Sequence, residues 1–245
     1  MADAGVDLTY LARSETASTG CGFVMINPQG VPAITTAMGA NEELSTADID
    51  RAHPVLARAR LVLVTFEIPV ATALYAVRCA KEQGAVTLLT PGPAEPLPRE
   101  ALAGLDILIP NQTEANILLG RPADDSVAPA ELARRLQDFF RLPNVVITLG
   151  EQGAWVAEGA HQELVPAFKV RVVDTPGAGD AFTAGLALGL TPGAPLVAAA
   201  RFGCLAGARA VTVRESIPSF GTREEIIAFA ATQGFEIPPA VRIAL

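Results

Sequence analysis

The stretch V-V-D-T-P-G-A-G-D-A-F-T-A-G-L-A-L-G, Val172 to Gly189, decides the reading of this chain. A β-branched run ends at Val173, the chain turns at Pro176-Gly177, and an apolar helix follows. Gly177, Ala178 and Gly179 are small enough for backbone N–H groups to approach a ligand closely. They stand at a helix N-terminus, where unpaired amides and the macrodipole favour an anion. Asp180 falls in the first helical turn, beside that anion site. Like charges repel, so a carboxylate there suits a general base that takes a proton from a hydroxyl attacking a phosphoryl group. An Asp held only by the helix dipole after a Gly-rich turn fits the same letters, and both readings stand on this motif alone.

The 245 residues are enough for one large α/β domain with a real core. The formal net charge of −8 argues against nucleic acid or an anionic membrane surface as partners. It does not argue against ATP, since a local nest of amides overrides global charge. Cys21, Cys79 and Cys204 have no metal-site spacing and read as buried thiols of a reducing compartment. His53 and His161 are isolated in polar contexts. No apolar run reaches membrane-span length, and the start lacks a basic-then-apolar signal, so a cytoplasmic location is expected.

In chain order, residues 1–13 read as an irregular lead. The strand-like C-G-F-V-M-I-N lies within 16–27, P-Q-G makes a turn, and 31–36 returns. This hairpin, within 14–40, has too little apolar content to stand alone and suits a lid over a site. Ser45 caps a helix running to about residue 59. Buried strands are expected at 61–66, 86–89, 105–109 and 145–149, with helices at 69–83, 112–119 and 128–140. A small antiparallel excursion follows at 154–157, 162–166 and 169–173. Helices at 178–190, 194–208 and 222–233 finish the chain. The alternation predicts an α/β fold with a mostly parallel sheet and helices on both faces. Ligands of such sheets bind beyond the carboxyl ends of the strands, where Glu67, Asn111, Glu114 and Gly150 all fall.

D-T-P-G-A-G-D-A-F-T-A-G at 174–185 resembles the second signature of the ribokinase-like (phosphofructokinase-B-type) sugar kinases. G-A-N at 39–41, F-E-I-P at 66–69, P-N-Q-T-E at 110–114 and T-L-G-E-Q-G at 148–153 follow that family's order and spacing. The resemblance implies ATP-dependent phosphorylation of a sugar's primary hydroxyl, ribose or a similar pentose or hexose, with Asp180 as base and 177–179 as anion hole. It implies ATP near Asn111, Thr148, Gly150, Gly153 and Cys204, and sugar near Asn41, Glu67 and Asp180. Glu114 would meet magnesium through water. A monovalent cation, potassium, would sit among the carbonyls of Asp174, Pro176, Ala210, Val213 and Glu215 and the Ser219 hydroxyl.

The residues taken singly keep other readings open. Glu114 equally suits the first turn of a helix, the 150–153 turn equally suits a hairpin, and Cys204 equally suits a core. The chain also departs from the family pattern. The family usually has Gly at the position of Glu215, and if that position needs a positive φ, Glu is costly there. The family's G-D-x-N-x-D and G-G-K-G-A-N segments, which grip the sugar, have no counterpart here. The expectation is therefore a single domain over 1–245, truncated at its N-terminus and weak in turnover, with an unpaired sheet edge open to homodimerisation. A non-catalytic nucleotide- or sugar-binding protein, or a kinase of another small alcohol such as a nucleoside, are the alternatives.

Overall fold

The computed structural model describes residues 5–26, 32–191 and 193–244; the P-Q-G turn at 28–30 lies outside them. The chain forms two compact units, Met1–Leu88 and Leu89–Leu245.

In the first unit, β1 (Cys21–Ile26) pairs antiparallel with β2 (Pro32–Ala37), with Cys21 opposite Ala37. Phe23 and Met25 stay exposed, as expected of a thin two-stranded ribbon. Cys21 is exposed too, against the expectation of a buried thiol, because it begins that ribbon. A 3-10 turn, Gly39–Glu43, leads into α1 (Thr46–Arg51), where the Ser45 N–H donates to Asp48 Oδ2 at 2.8 Å. The single helix expected to residue 59 is broken: α2 (His53–Leu56) restarts after Ala52. Pro54 has no N–H to continue the ladder and instead sits in the first turn of the new helix. Next come β3 (Leu61–Thr65), α3 (Val70–Glu82) and β4 (Val86–Thr90), whose last residues belong to the second unit. The Thr72 hydroxyl donates to the Leu44 carbonyl at 2.9 Å and Tyr75 to Asp50 at 2.6 Å, pinning α3 to the segment around α1.

The second unit holds β5 (Ile107–Leu108), α4 (Gln112–Leu118), α5 (Pro129–Phe140), β6 (Asn144–Thr148), β7 (Ala154–Glu158) and β8 (His161–Val165). After them come α6 (Ala178–Gly189), α7 (Leu196–Ala210), α8 (Ser216–Ser219), α9 (Arg223–Thr232) and α10 (Pro239–Ala244). Strands β4 to β8 lie in chain order, with β5 and β6 parallel and β6, β7 and β8 antiparallel, giving the expected α/β architecture. α5 buries Leu132, Ala133, Leu136 and Phe140 on the face it turns to β6 and β7. That is one stripe at helical spacing. Phe202 and Leu205 of α7 join Ile226, Ala230, Ile237 and Val241 in a second cluster.

The strand expected at 169–173 is absent. Val173 and Asp174 N–H groups bond instead to the Val211 carbonyl at the end of α7, at 2.7 and 3.3 Å. Val172 and Val173 remain exposed, so the β-branched run there does not mark a buried strand. The short α8 and α10 went unread because neither is long enough to carry a periodic pattern. Among the described residues no helix is long and apolar enough to cross a membrane.

α6, which carries the signature, packs on α7 through small residues. A Cβ on Gly185 would lie 2.8 Å from Ala206 Cβ and 3.1 Å from Gly203 Cα. Gly185→Ala should therefore overpack the seam and lower unfolding stability by about 1–3 kcal/mol. Urea unfolding followed by circular dichroism checks this; an unchanged midpoint would mean the helices separate freely.

Candidate functional site

The turn before α6 is held from below by one carboxylate. Asp174 Oδ1 accepts the Thr175 N–H at 3.1 Å, and Oδ2 accepts the Glu215 N–H at 3.1 Å. Segments 41 residues apart are thereby tied together. Gly177 then adopts φ 81°, a left-handed conformation that glycine takes without strain. A Cβ on it would lie 3.1 Å from Phe220 Cε1 and 3.2 Å from Ser216 Cβ, so a larger residue would also press on its neighbours.

This geometry decides which amides are available. Ala178 N–H is already bonded to the Thr175 carbonyl at 3.2 Å, and Ala181 N–H to Gly177 at 2.9 Å. Among the described residues, the amides of Gly177, Gly179 and Asp180 have no partner. Of the three amides singled out in sequence, Ala178 is thus occupied, and Asp180 contributes the one it lacks. The turn is not smothered: nothing lies within 4 Å of the Cβ position of Gly179. Asp180 reaches solvent, yet the protein around it desolvates its carboxyl and raises its pKa above the ordinary aspartate range.

Asn111 and Glu114 cap α4 reciprocally. Asn111 Oδ1 accepts the Glu114 N–H at 2.8 Å, and Glu114 Oε2 accepts the Asn111 N–H at 2.9 Å. The helix-start reading of Glu114 therefore holds, but it uses only one carboxylate oxygen. Among the described residues Oε1 has no hydrogen-bond partner, and it lies 3.0 Å from where a Cβ on Gly92 would be. Burial raises the Glu114 pKa, with the Asn111 N–H opposing it. A half-buried carboxylate with one unused oxygen suits a hydrated divalent cation. Among the described residues no group of three or more His, Cys, Asp or Glu side chains is placed to hold a metal, so direct all-protein ligation has no support.

The strand ends bring Asn111 and Thr148 together as a parallel bridge, with Thr148 N–H on the Pro110 carbonyl at 2.9 Å. Gly150, at φ 57°, has open space at its Cβ position. Gly153 does not: a Cβ there would sit 2.0 Å from the Val165 carbonyl oxygen and 2.6 Å from Ala167 N. Its glycine serves close packing on the chain's own backbone rather than approach to a ligand. Cys204 is buried, with Sγ 3.9 Å from that same Val165 oxygen, and desolvation pushes its thiol up to about 11. The core-thiol reading of Cys204 fits this placement.

The proposed cation loop is divided in the same way. Ala210's carbonyl accepts the Val213 N–H at 3.1 Å, and the fully buried Ser219 donates its hydroxyl to Ser216 O at 2.6 Å. The carbonyls of Asp174, Pro176, Val213 and Glu215 carry no bond among the described residues. Glu215 sits at φ 67°, ψ 149°, a region nearly reserved for glycine, as its place in the family pattern suggested. In the first unit, Asn41 is exposed in its 3-10 turn, its N–H on Met38 O at 3.1 Å. Glu67 is exposed just after β3, its N–H on Thr65 Oγ1 at 3.2 Å. Sequence reading missed the Asp174 carboxylate as a tether and the Phe220 and Ser216 wall. No local pattern marked either, since the donor to Asp174 is a backbone N–H 41 residues away.

Two outcomes follow. Glu215→Gly should raise stability by about 1 kcal/mol, since a non-glycine residue in that region costs of order 1–3 kcal/mol and part is returned as chain entropy; a lowered thermal midpoint would contradict the strain. In a carboxyl-resolved NMR titration, Asp180 should titrate above Asp48, whose pKa is lowered chiefly by the Ser45 hydroxyl. With a raised folded-state pKa, Asp180's contribution to stability is full below the unfolded aspartate value and is lost as pH rises through the folded one. Asp180 titrating with or below Asp48 would contradict the desolvation.

The sequence profile of the pfkB family carbohydrate kinases matches residues 1–223. The ribokinase of Haemophilus influenzae is 32% identical over 228 residues, 93% of this chain and 74% of that protein. The deoxyribokinase of Salmonella typhi is 36% identical over 179 residues, 73% of this chain and 58% of that protein. Arabidopsis thaliana ribokinase complexed with ribose and ATP has a TM-score of 0.75 at 28% identity, covering 90% of this chain and 71% of that one. The chain thus spans between 58% and 74% of the two curated relatives. A profile match over nearly the whole length, on a chain whose signature turn opens a helix with unpaired amides, means that it belongs to the pfkB family carbohydrate kinases.

Proposed function

We propose that the protein transfers the terminal phosphoryl group of ATP to the primary hydroxyl of a sugar, ribose or a similar pentose or hexose. The observation that carries this reading is the set of unpaired amides at Gly177, Gly179 and Asp180, directly beside the desolvated Asp180 carboxylate. Amides fixed before the reaction stabilise charge developing on the transferred group, a contribution of about 2.7–4 kcal/mol per donor in oxyanion-type sites. A carboxyl with a raised pKa is a better proton acceptor than an ordinary aspartate, which suits removal of the hydroxyl proton. The family membership and the ribokinase and deoxyribokinase relatives support the acceptor class.

In this reading Asn111, Thr148 and Gly150 lie along the nucleotide, with Gly153 and Cys204 shaping the wall behind it. Glu114 Oε1 holds water on a magnesium ion, whose charge offsets that of the phosphates. Asn41 and Glu67 recognise sugar hydroxyls. The unpaired carbonyls of Asp174, Pro176, Val213 and Glu215 offer a monovalent cation a seat below the anion turn. A reducing, ATP-rich compartment, the cytoplasm, suits three free thiols.

The test is turnover with ATP against a panel of pentoses, hexoses and nucleosides, alongside calorimetry with ATP. Asp180→Asn should lower kcat by about 10²–10⁴-fold while leaving ATP affinity unchanged. Full turnover in Asp180→Asn removes it as the base. ATP binding with no transfer to any acceptor would favour the non-catalytic binding reading.

A further inference from the structure

The second unit gathers arginine at a place the signature does not touch. Arg99, Leu119, Arg121, Arg135, Asp138 and Phe139 line a depression of about 310 Å³. They come from the segment before β5, the turn after α4 and the C-terminal half of α5. Helical spacing explains why Arg135 meets Glu131; it does not explain why Arg99 and Arg121 arrive at the same wall.

Each guanidinium has five donors and uses few. Arg99 donates Nη1 to the Asp138 carbonyl at 3.2 Å and lies over the Phe139 ring, 4.9 Å from its centroid, which fixes it in place. Arg121 donates Nη2 to Asp125 Oδ2 at 2.5 Å, and among the described residues its buried Nε has no partner. Arg135 gives Nε to Glu131 Oε1 at 2.7 Å. The lining carboxylate, Asp138, already receives Arg134 Nη1 on Oδ2 at 2.7 Å. Arg121 pairs with Asp125, and Arg134 and Arg135 with Glu131 and Asp138, so with Arg99 four guanidinium groups stand among three carboxylates, a local excess of positive charge on a chain of net charge −8. Leu119 and Phe139 add apolar wall, and the volume is at the small end for ligand pockets, about 300–1,000 Å³.

We propose that this depression binds a small phosphate-bearing molecule. The phosphate lies against the unused Nη donors of Arg121 and Arg135, in the fork geometry guanidinium offers to oxyanions. A hydroxyl on the same molecule would reach the remaining oxygen of Asp138, and its carbon skeleton would lie on Leu119. Free phosphate and a phosphorylated sugar share this chemistry. The site shares no residue with the turn at 174–180, so it stands or falls independently of the proposed reaction.

The test is a titration of ¹⁵N-labelled full chain, at constant ionic strength set with chloride, with inorganic phosphate in one arm and ribose 5-phosphate in the other. Saturable shifts are expected at the amides of Leu119, Arg121, Arg135 and Phe139. Tighter saturation by the sugar phosphate identifies the phosphorylated sugar as the ligand, and equal saturation identifies free phosphate. Arg121→Gln and Arg135→Gln should each weaken binding about tenfold or more, as expected for loss of a charged hydrogen bond, with the rest of the spectrum unchanged. Shifts at 177–180 report the other site and do not count. No saturable shift at the four amides in either arm, shifts reproduced by chloride alone, or binding undiminished in both variants would overturn the proposal.

Discussion

The Asp174 carboxylate accepts one N–H from its own turn and one from Glu215, and the turn before α6 depends on that pair of hydrogen bonds. It draws the segment after α7 under the segment before α6. Ser216 and Phe220 are thereby placed against Gly177, close enough that a Cβ there would meet them at 3.1–3.2 Å. Gly177 is held left-handed, and the amides that follow are left without partners in the chain. Glu215 meets the cost of this arrangement by adopting a conformation of order 1–3 kcal/mol above the usual basins. Strain of that size persists only where surrounding contacts over-determine the backbone. Here the Asp174 hydrogen bond to the Glu215 N–H and the packing of Ser216 on Gly177 supply them.

The rest of the second unit delivers that turn to a defined place. α6 lies close along α7 because Gly185, Gly189 and Gly203 let the backbones approach, so the helix N-terminus is positioned by a tight seam. Across the sheet, the Asn111 to Thr148 bridge keeps the 110–114 and 148–153 segments at adjacent strand ends. Glu114 has two tasks at once. One oxygen completes the cap of α4, which fixes the side chain, and the other remains unused beside Gly92. A cap that positions a carboxylate costs little mobility and leaves the charge where a hydrated cation can reach it.

The sequence determined the alternation of strands and helices, because buried runs such as 145–149 and the apolar stripe of α5 carry their own periods. It also determined the signature turn, since only Gly at 177 and a small residue at 179 suit a helix start open to an anion. It pointed to Glu215 as a departure, and the positive φ there bears out the reason.

Tertiary structure alone decided which amides are unpaired. The Thr175 carbonyl takes the Ala178 N–H, and no local pattern announces that bond. It also decided that Gly153 serves packing on 165–167, that Cys204 is a core thiol, and that 169–173 hangs from a helix end instead of pairing as a strand. The physical reason is common to all of them. Periodicity and turn chemistry are properties of neighbours in the chain. The partner of a given N–H, or the occupant of the space above a glycine, is set by residues tens of positions away, which local patterns do not name.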